Sequence, residues 1–190
     1  MMKNKVILTD CDGVLVDWLY AFDVWMRNKG YNKVRSDVYE LELCYNIPRP
    51  EMKAYVRLFN ESEAVATMPP LGDAIKYVKK LHEEKGYVFY CITSLSLEPS
   101  AAKLREENIK ALFGNTAFEK IICLDTGADK DDALLPYIDS GCIWVEDKIE
   151  NADLGNFLGL AAVLMSNESN KNYDGDATVV DSWKEIYEML

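Results

Sequence analysis

One repeated unit limits this chain's fold more than anything else: a short apolar run, stopped by polar residues and followed by a stretch of helical periodicity. Val6-Ile7-Leu8-Thr9 runs into Asp10-Cys11-Asp12-Gly13, and Tyr87 to Ile92 runs into Thr93-Ser94. Lys120 to Leu124 precedes Asp125-Thr126-Gly127-Ala128-Asp129-Lys130, and Cys142 to Val145 precedes Glu146-Asp147. Leu160 to Met165 and Thr178 to Val180 read as two further short strands. Apolar strands alternating with helices predict an α/β fold, a Rossmann-like parallel sheet with helices on both faces.

The helices carry their own signals. Asp17 caps a segment with Trp18, Phe22, Trp25 and Met26 near helical spacing, ending at Gly30. Ser36-Asp37 is expected to open a second helical piece, and Pro48 a third through Met52, Tyr55, Val56 and Phe59. Pro69-Pro70 then punctuates the chain, and Gly72-Asp73 begins an amphipathic helix closing at Gly86. Glu98 to Phe113, with Pro99 in the first turn, Asp129 to Tyr137, Glu150 to Leu158 and Trp183 to Leu190 complete the expected helices, and Ser166 to Asp176 is a loop. The block from 17 to 69 is too long for a simple crossover. It is expected to be a helical cap inserted after the first strand, with residues 1–16 and 70–190 forming the core. Such an insertion lies over the C-terminal edge of the sheet, where open α/β folds bind ligands.

Composition excludes several classes. With 190 residues, 49% of them hydrophobic, the chain can bury a core, and no apolar run approaches a membrane span. Only about five apolar residues precede Asp10, too few for a signal peptide, so a cytoplasmic location is the expectation. A net charge of −11 argues against a nucleic-acid polymer as partner. The five cysteines lack Cys-x-x-Cys spacing, and Cys11 has no histidine partner in view, since the sole His82 falls in a solvated helix pattern. The sequence contains no argument for or against a homodimer.

The polar residues at the strand ends point to chemistry. Carboxylates two apart at a strand terminus, beside a glycine that lets the backbone turn, suit a hard cation, and one of them can act as a nucleophile. A plain Asp-x-Asp-Gly turn remains the alternative for that run alone. Thr93 and Ser94 can hydrogen-bond a phosphate oxygen. Glu146-Asp147 is a second acidic pair, and two such pairs brought together repel unless a cation neutralises them.

Taken in order, Asp10-Cys11-Asp12-Gly13, Thr93-Ser94, Lys130 and Glu146-Asp147 resemble the four motifs of haloacid-dehalogenase-superfamily phosphatases. The resemblance implies a Mg²⁺-dependent phosphomonoesterase. Asp10 would be the nucleophile forming an aspartyl-phosphate, and Asp12 the group that protonates the leaving oxygen and then activates water. Mg²⁺ would be held by Asp10, the Asp12 carbonyl and Asp147, with Glu146 behind them, while Thr93, Ser94 and Lys130 would bind the phosphoryl group.

Within the superfamily, Asp10-x-Asp12-Gly13-Val14-Leu15-x-Asp17 with an aromatic at 18, the run from Phe59 through paired prolines into Gly72, and Leu112-Phe113-Gly114 are similar to the 5'(3')-deoxyribonucleotidases. That likeness implies a small phosphorylated substrate, a (deoxy)nucleoside monophosphate, with Trp18, Phe22, Tyr45 and Phe59 as candidates to hold the base. Aromatics at helical spacing also serve as ordinary cap core. The chain departs from those nucleotidases in Glu146 and in Leu95, which stands where they have a proline. A phosphatase, pyrophosphatase or phosphomutase for a sugar phosphate or other small ester shares the same motifs. A phospho-accepting receiver domain has the wrong motif order, and a catalytically silent phosphate-binding module would not need the full set.

Overall fold

The computed structural model describes residues 5–36, 38 and 40–190. Its strands are β1 (Val6–Thr9), β2 (Val88–Ser94), β3 (Phe118–Leu124), β4 (Ile143–Glu146), β5 (Ala161–Met165) and β6 (Thr178–Val180). They form one parallel sheet in the order β3-β2-β1-β4-β5-β6. The expected Rossmann-like α/β architecture is therefore present. Strand order reverses beside β1, and the crevice at the carboxyl ends of β1 and β4 is the switch point at which such sheets bind ligands.

Side chains alternate across the sheet with the strand period of two. Ile7, Phe89, Cys91, Val145 and Val163 enter one core, and Leu8, Ile92, Trp144, Ala162 and Leu164 enter the other. The first core is covered by α4 (Ala74–Glu83), α5 (Pro99–Phe113) and α8 (Trp183–Met189), the second by α6 (Asp131–Leu134) and α7 (Ile149–Phe157). Burying each Leu or Ile side chain contributes about 1.5–3 kcal/mol, which favours this register over a one-residue slip that would expose a whole face. Gly155 of α7 lies so close to the sheet that a Cβ there would meet Trp144 Cδ1 at 2.5 Å.

Between β1 and β2 lie α1 (Trp18–Asn28), α2 (Leu41–Tyr45), α3 (Arg49–Asn60) and a 3-10 segment, Glu63–Thr67. The Asp17 carboxylate caps α1 by accepting the Tyr20 N–H, and Pro48 leads into α3. The chain enters and leaves this segment side by side: Asp17 N donates to Pro69 O and Leu71 N to Leu15 O, around an antiparallel bridge from Val16 to Pro70. No helix among the described residues is long and apolar enough to cross a membrane.

Three local expectations shift. The helix expected to open at Ser36-Asp37 does not include Ser36; α2 starts at Leu41, and Asp37 lies outside the described residues. Val34 and Arg35 instead donate their backbone N–H groups to Cys44 O, which holds the segment before α2 open. β3 starts two residues early, at Phe118, because exposed Glu119 and Lys120 sit in an edge strand whose polarity masks it. The helix expected over Asp129 to Tyr137 is α-helical only to Leu134 and then tightens to a 3-10 turn at Pro136. His82 lies on α4, half-buried, with Nδ1 2.7 Å from Tyr87 O and Nε2 3.0 Å from Thr116 Oγ1.

Candidate active site

Asp10, the first residue after β1, is buried, with its backbone N–H bonded to Val145 O of β4 at 2.8 Å. One carboxylate oxygen accepts the Cys11 N–H at 2.6 Å, and the other lies 2.8 Å from Lys130 Nζ. Lys130 reaches the same place from the loop after β3. It is buried and donates also to Glu146 Oε2 at 2.6 Å. Glu146 ends β4 with both oxygens in use: Oε1 accepts the Asp147 and Lys148 N–H groups, and Oε2 accepts Lys130 and Asn151 Nδ2. It shares Lys130 with Asp10. The structure thus brings together three of the four strand ends singled out in the sequence.

Oxygens of Asp10, Glu146 and Asp147 lie within 4.8 Å of one another. Three carboxylates against the single Lys130 ammonium leave two negative charges if all are ionised. Burial and the neighbouring Glu146 push the Asp10 carboxyl up to about 7, against the pull of Lys130. Burial, then Glu146 and Asp10, push Asp147 up as well. Glu146 moves the other way: burial opposes its ionisation, but the Lys130 ion pair and hydrogen bond hold it below the usual range. An oxygen-only donor set with two uncompensated charges fits a hard divalent cation such as Mg²⁺, which Asp10, Asp147 and the Asp12 carbonyl would hold with Glu146 behind them.

Gly13 completes the wall. Its φ is +75°, and a Cβ there would fall 2.3 Å from Asp147 Oδ2. Asp147 is fixed from behind by Asn170, whose buried Nδ2 donates to Asp147 O at 2.9 Å and Met165 O at 2.8 Å, with Asn167 adding a 3.2 Å bond.

Thr93, the last residue but one of β2, has its hydroxyl buried and without a hydrogen-bond partner among the described residues. An orphaned hydroxyl on the strand next to β1 suits an anionic oxygen, since leaving its hydrogen bond unmade costs about 1–3 kcal/mol. Ser94 turns its own hydroxyl to Ala128 O at 2.7 Å, tying the β2 end to the Lys130 loop.

Asp12 pairs with a different cation from Asp10. Its Oδ1 accepts Arg105 Nη2 at 2.6 Å. Cys11 is buried and accepts Arg105 Nη1 at 3.0 Å, so it packs beneath the site.

The four aromatic candidates do not stand alike. Trp18 is half-buried, stacked on Phe22 at 4.8 Å and bonded through Nε1 to Asn60 Oδ1 at 2.9 Å. Phe22 and Phe59 are fully buried and meet edge-on at 5.3 Å, and Tyr45 is 5% exposed with its hydroxyl on the Asp23 carboxylate. In this structure these three pack within the helical segment, and only Trp18 keeps an accessible surface.

Sequence reasoning passed over Arg105, Asn151, Asn170 and Asn60. Arg105 had a signal: it stands on the apolar face of α5, one helical repeat from Ala101 and Ile109. Asn151 shares a helix face with the acidic pair's end of α7, a weaker cue. Asn170 sits in a polar loop and had none.

The fold and the site define a phosphatase of the haloacid-dehalogenase type. The chain belongs to the family described as 5' nucleotidase, deoxy (pyrimidine), cytosolic type C, whose model matches residues 4–190. No curated protein matches the chain. Among solved structures it is similar to a haloacid dehalogenase-like hydrolase from Streptococcus pneumoniae, at 16% identity and TM-score 0.68, covering 100% of this chain and 99% of that one. It is also similar to CbbY from Rhodobacter sphaeroides in complex with phosphate, at 17% identity, TM-score 0.61 and 96% of both chains. A third is a HAD-superfamily hydrolase from Geobacter sulfurreducens, at 16% identity and TM-score 0.61, covering 98% of this chain and 96% of that one. At these identities the three describe the fold.

Proposed function

We propose that the protein is a Mg²⁺-dependent phosphomonoesterase that dephosphorylates a (deoxy)nucleoside monophosphate through an aspartyl-phosphate on Asp10. The observation that carries this reading is the buried Asp10 carboxylate held 2.8 Å from Lys130 at the switch point, beside the orphaned Thr93 hydroxyl. Family membership supports the nucleotide as substrate. The same description supports action in the cytosol.

The Asp10 oxygen attacks phosphorus in line, and the bond to the ester oxygen breaks as Asp12 gives that oxygen a proton. Lys130, Thr93 and the backbone N–H groups at Ser94 hold the phosphoryl oxygens as negative charge spreads over them. Asp12, now ionised, takes a proton from water, the water oxygen attacks phosphorus, and Asp10 is released with inorganic phosphate. Bound Mg²⁺ would supply the neutralising charge that keeps Asp10 ionised beside a phosphate dianion.

Residues 17–69 act as the cap over this site. Trp18 offers its accessible face to the base, while Phe22, Tyr45 and Phe59 keep it in place; stacking of a base on an aromatic ring contributes about 1–3 kcal/mol. The test is phosphate release from a panel of nucleoside and sugar monophosphates with and without Mg²⁺. Release is expected with nucleotides preferred in kcat/KM, abolished in Asp10→Asn and in EDTA. Wild-type release no faster than that of Asp10→Asn ends the phosphatase mechanism, and a preference for sugar phosphates ends the nucleotide assignment.

A further inference from the structure

Arg105 is a fully buried arginine whose only charged partner among the described residues is Asp12, a pairing that spacing and motif order do not explain. The side chain has no exposure, and its Nε has no hydrogen-bond partner among the described residues. Nη1 has only sulfur acceptors, Cys11 Sγ at 3.0 Å and Met68 Sδ at 3.7 Å, while Nη2 meets Asp12 Oδ1 at 2.6 Å. Fully desolvating a guanidinium for one carboxylate and two thio groups is a poor way to stabilise a fold, since apolar residues of the same volume do as well or better. A fixed orientation for Asp12 is what the arrangement yields. Arg105 cannot lose its proton, so the oxygen it binds stays an acceptor.

We propose that Arg105 is a positioning residue for proton transfer: it clamps the partly exposed Asp12 through Oδ1, so that Oδ2, the oxygen it leaves unclamped, is the one that holds the proton and delivers it to the leaving group. The inference rests on the reading of Asp12 as the proton donor. As the phosphorus–oxygen bond to the leaving alcohol breaks and the bond to Asp10 forms, the proton moves from Asp12 Oδ2 to the alcohol oxygen. Asp12 becomes a carboxylate held by the same guanidinium. α5 is suited to this task because it also grips the returning end of the inserted segment: Asn108, one turn on, donates to Ala66 O at 3.3 Å and Met68 O at 3.0 Å. The clamp therefore stands on a helix tied to the chain's return from the inserted segment.

The readout is leaving-group dependence. p-Nitrophenolate leaves as a stable anion and needs no proton, whereas the alcohol of a nucleoside monophosphate does. Because kcat/KM ends at the first phosphoryl transfer, it is blind to the later hydrolysis of the aspartyl-phosphate. In Arg105→Met, kcat/KM for a deoxynucleoside monophosphate is expected to fall about 100-fold, the ordinary size of a general-acid contribution, and for p-nitrophenyl phosphate by less than about fivefold. Adding Asp12→Ala to Arg105→Met should deepen the nucleotide loss by less than about tenfold, since both act through one proton.

Arg105→Lys, which keeps the charge, should recover part of the loss and gives the same comparison if the Met variant does not fold. Asn108→Ala, on the same helix, should affect both substrates equally. Equal losses on the two substrates in a folded Arg105 variant, or none, overturn the proposal. A wild type inactive on both substrates removes the underlying phosphatase reading instead.

Discussion

At the scale of single residues, the cluster of Asp10, Glu146 and Asp147 trades stability for reactivity, and the trade has a sign. Asp10 sits at about 7 in the fold against 3.8 when free, so the folded chain binds the extra proton across that interval. The cost of ionising it is absent below about pH 4, grows as pH rises, and is complete above about pH 7. In metal-free protein, Asp10→Asn should therefore gain melting temperature relative to wild type between pH 4 and 7.5. Mg²⁺ at pH 7.5 should then raise the Tm of wild type more than that of the variant. A difference in Tm that stays flat over this range contradicts the buried-charge account.

Gly13 makes a second prediction. A Cβ there needs both a positive φ, costing about 1–2 kcal/mol, and a shift of the Asp147 carboxylate from a 2.3 Å clash. Gly13→Ala should lower kcat/KM by about 100-fold, as a misplacement of roughly 1 Å does, while retaining a cooperative unfolding transition. Activity within a few-fold of wild type would show that Asp147 has room to move. The residues on the strand ends were legible because their chemistry and their position in the chain coincide. Arg105 and Asn170 were not, because their partners lie far away in sequence, 93 and 23 residues respectively.

At the scale of elements, α3 shows which contacts between the inserted helices and the sheet's loops matter. Arg57 reaches Asp125 at 3.0 Å, but both side chains are about 40–50% exposed, and such pairs contribute about 0–1 kcal/mol. Asn60 is buried on the same helix, donating to Leu95 O at 3.0 Å and accepting the Trp18 indole N–H. Replacing it leaves the half-buried Trp18 indole N–H without its acceptor, at roughly 1–3 kcal/mol, and removes one of two bonds to Leu95 O, which Thr126 Oγ1 also reaches at 2.5 Å, at roughly 0.5–1.5 kcal/mol. Chemical denaturation should show Asn60→Ala destabilised by about 2 kcal/mol or more and Arg57→Ala by less than 1. The reverse order would mean that the ion pair, not the buried amide, docks α3. The elements themselves were largely legible: all six strands and the helices capped by Asp17, Pro48 and Pro99 follow from apolar period and end signals. Failures fall where local chemistry is mixed. Edge polarity hid the start of β3, Pro136 cut short the helix after Lys130, and the stretch before α2 closes on Cys44 O through backbone bonds that leave no mark in the sequence.

At the scale of the whole molecule, a chain with net charge −11 must admit a phosphate dianion. Locally the approach would be favourable once a divalent cation joins Lys130 beside Asp10. At longer range the field opposes it. Exposed charges act over about 10 Å at 0.1 M salt and about 30 Å at 0.01 M, so added salt silences the distant repulsion before the contacts inside the site. The expected outcome is the opposite of that for an enzyme that steers its substrate electrostatically. With Mg²⁺ saturating, kcat/KM for a nucleoside monophosphate should rise by about two- to threefold as ionic strength goes from 0.01 to 0.15 M. The rise should sit in KM, because the phosphoryl-transfer step takes place inside the dehydrated site, where screening is weak. Holding Mg²⁺ saturating separates this effect from competition of salt with the metal. A fall in kcat/KM over that range would show that the local cation field extends past the mouth of the cleft and outweighs the acidic surface.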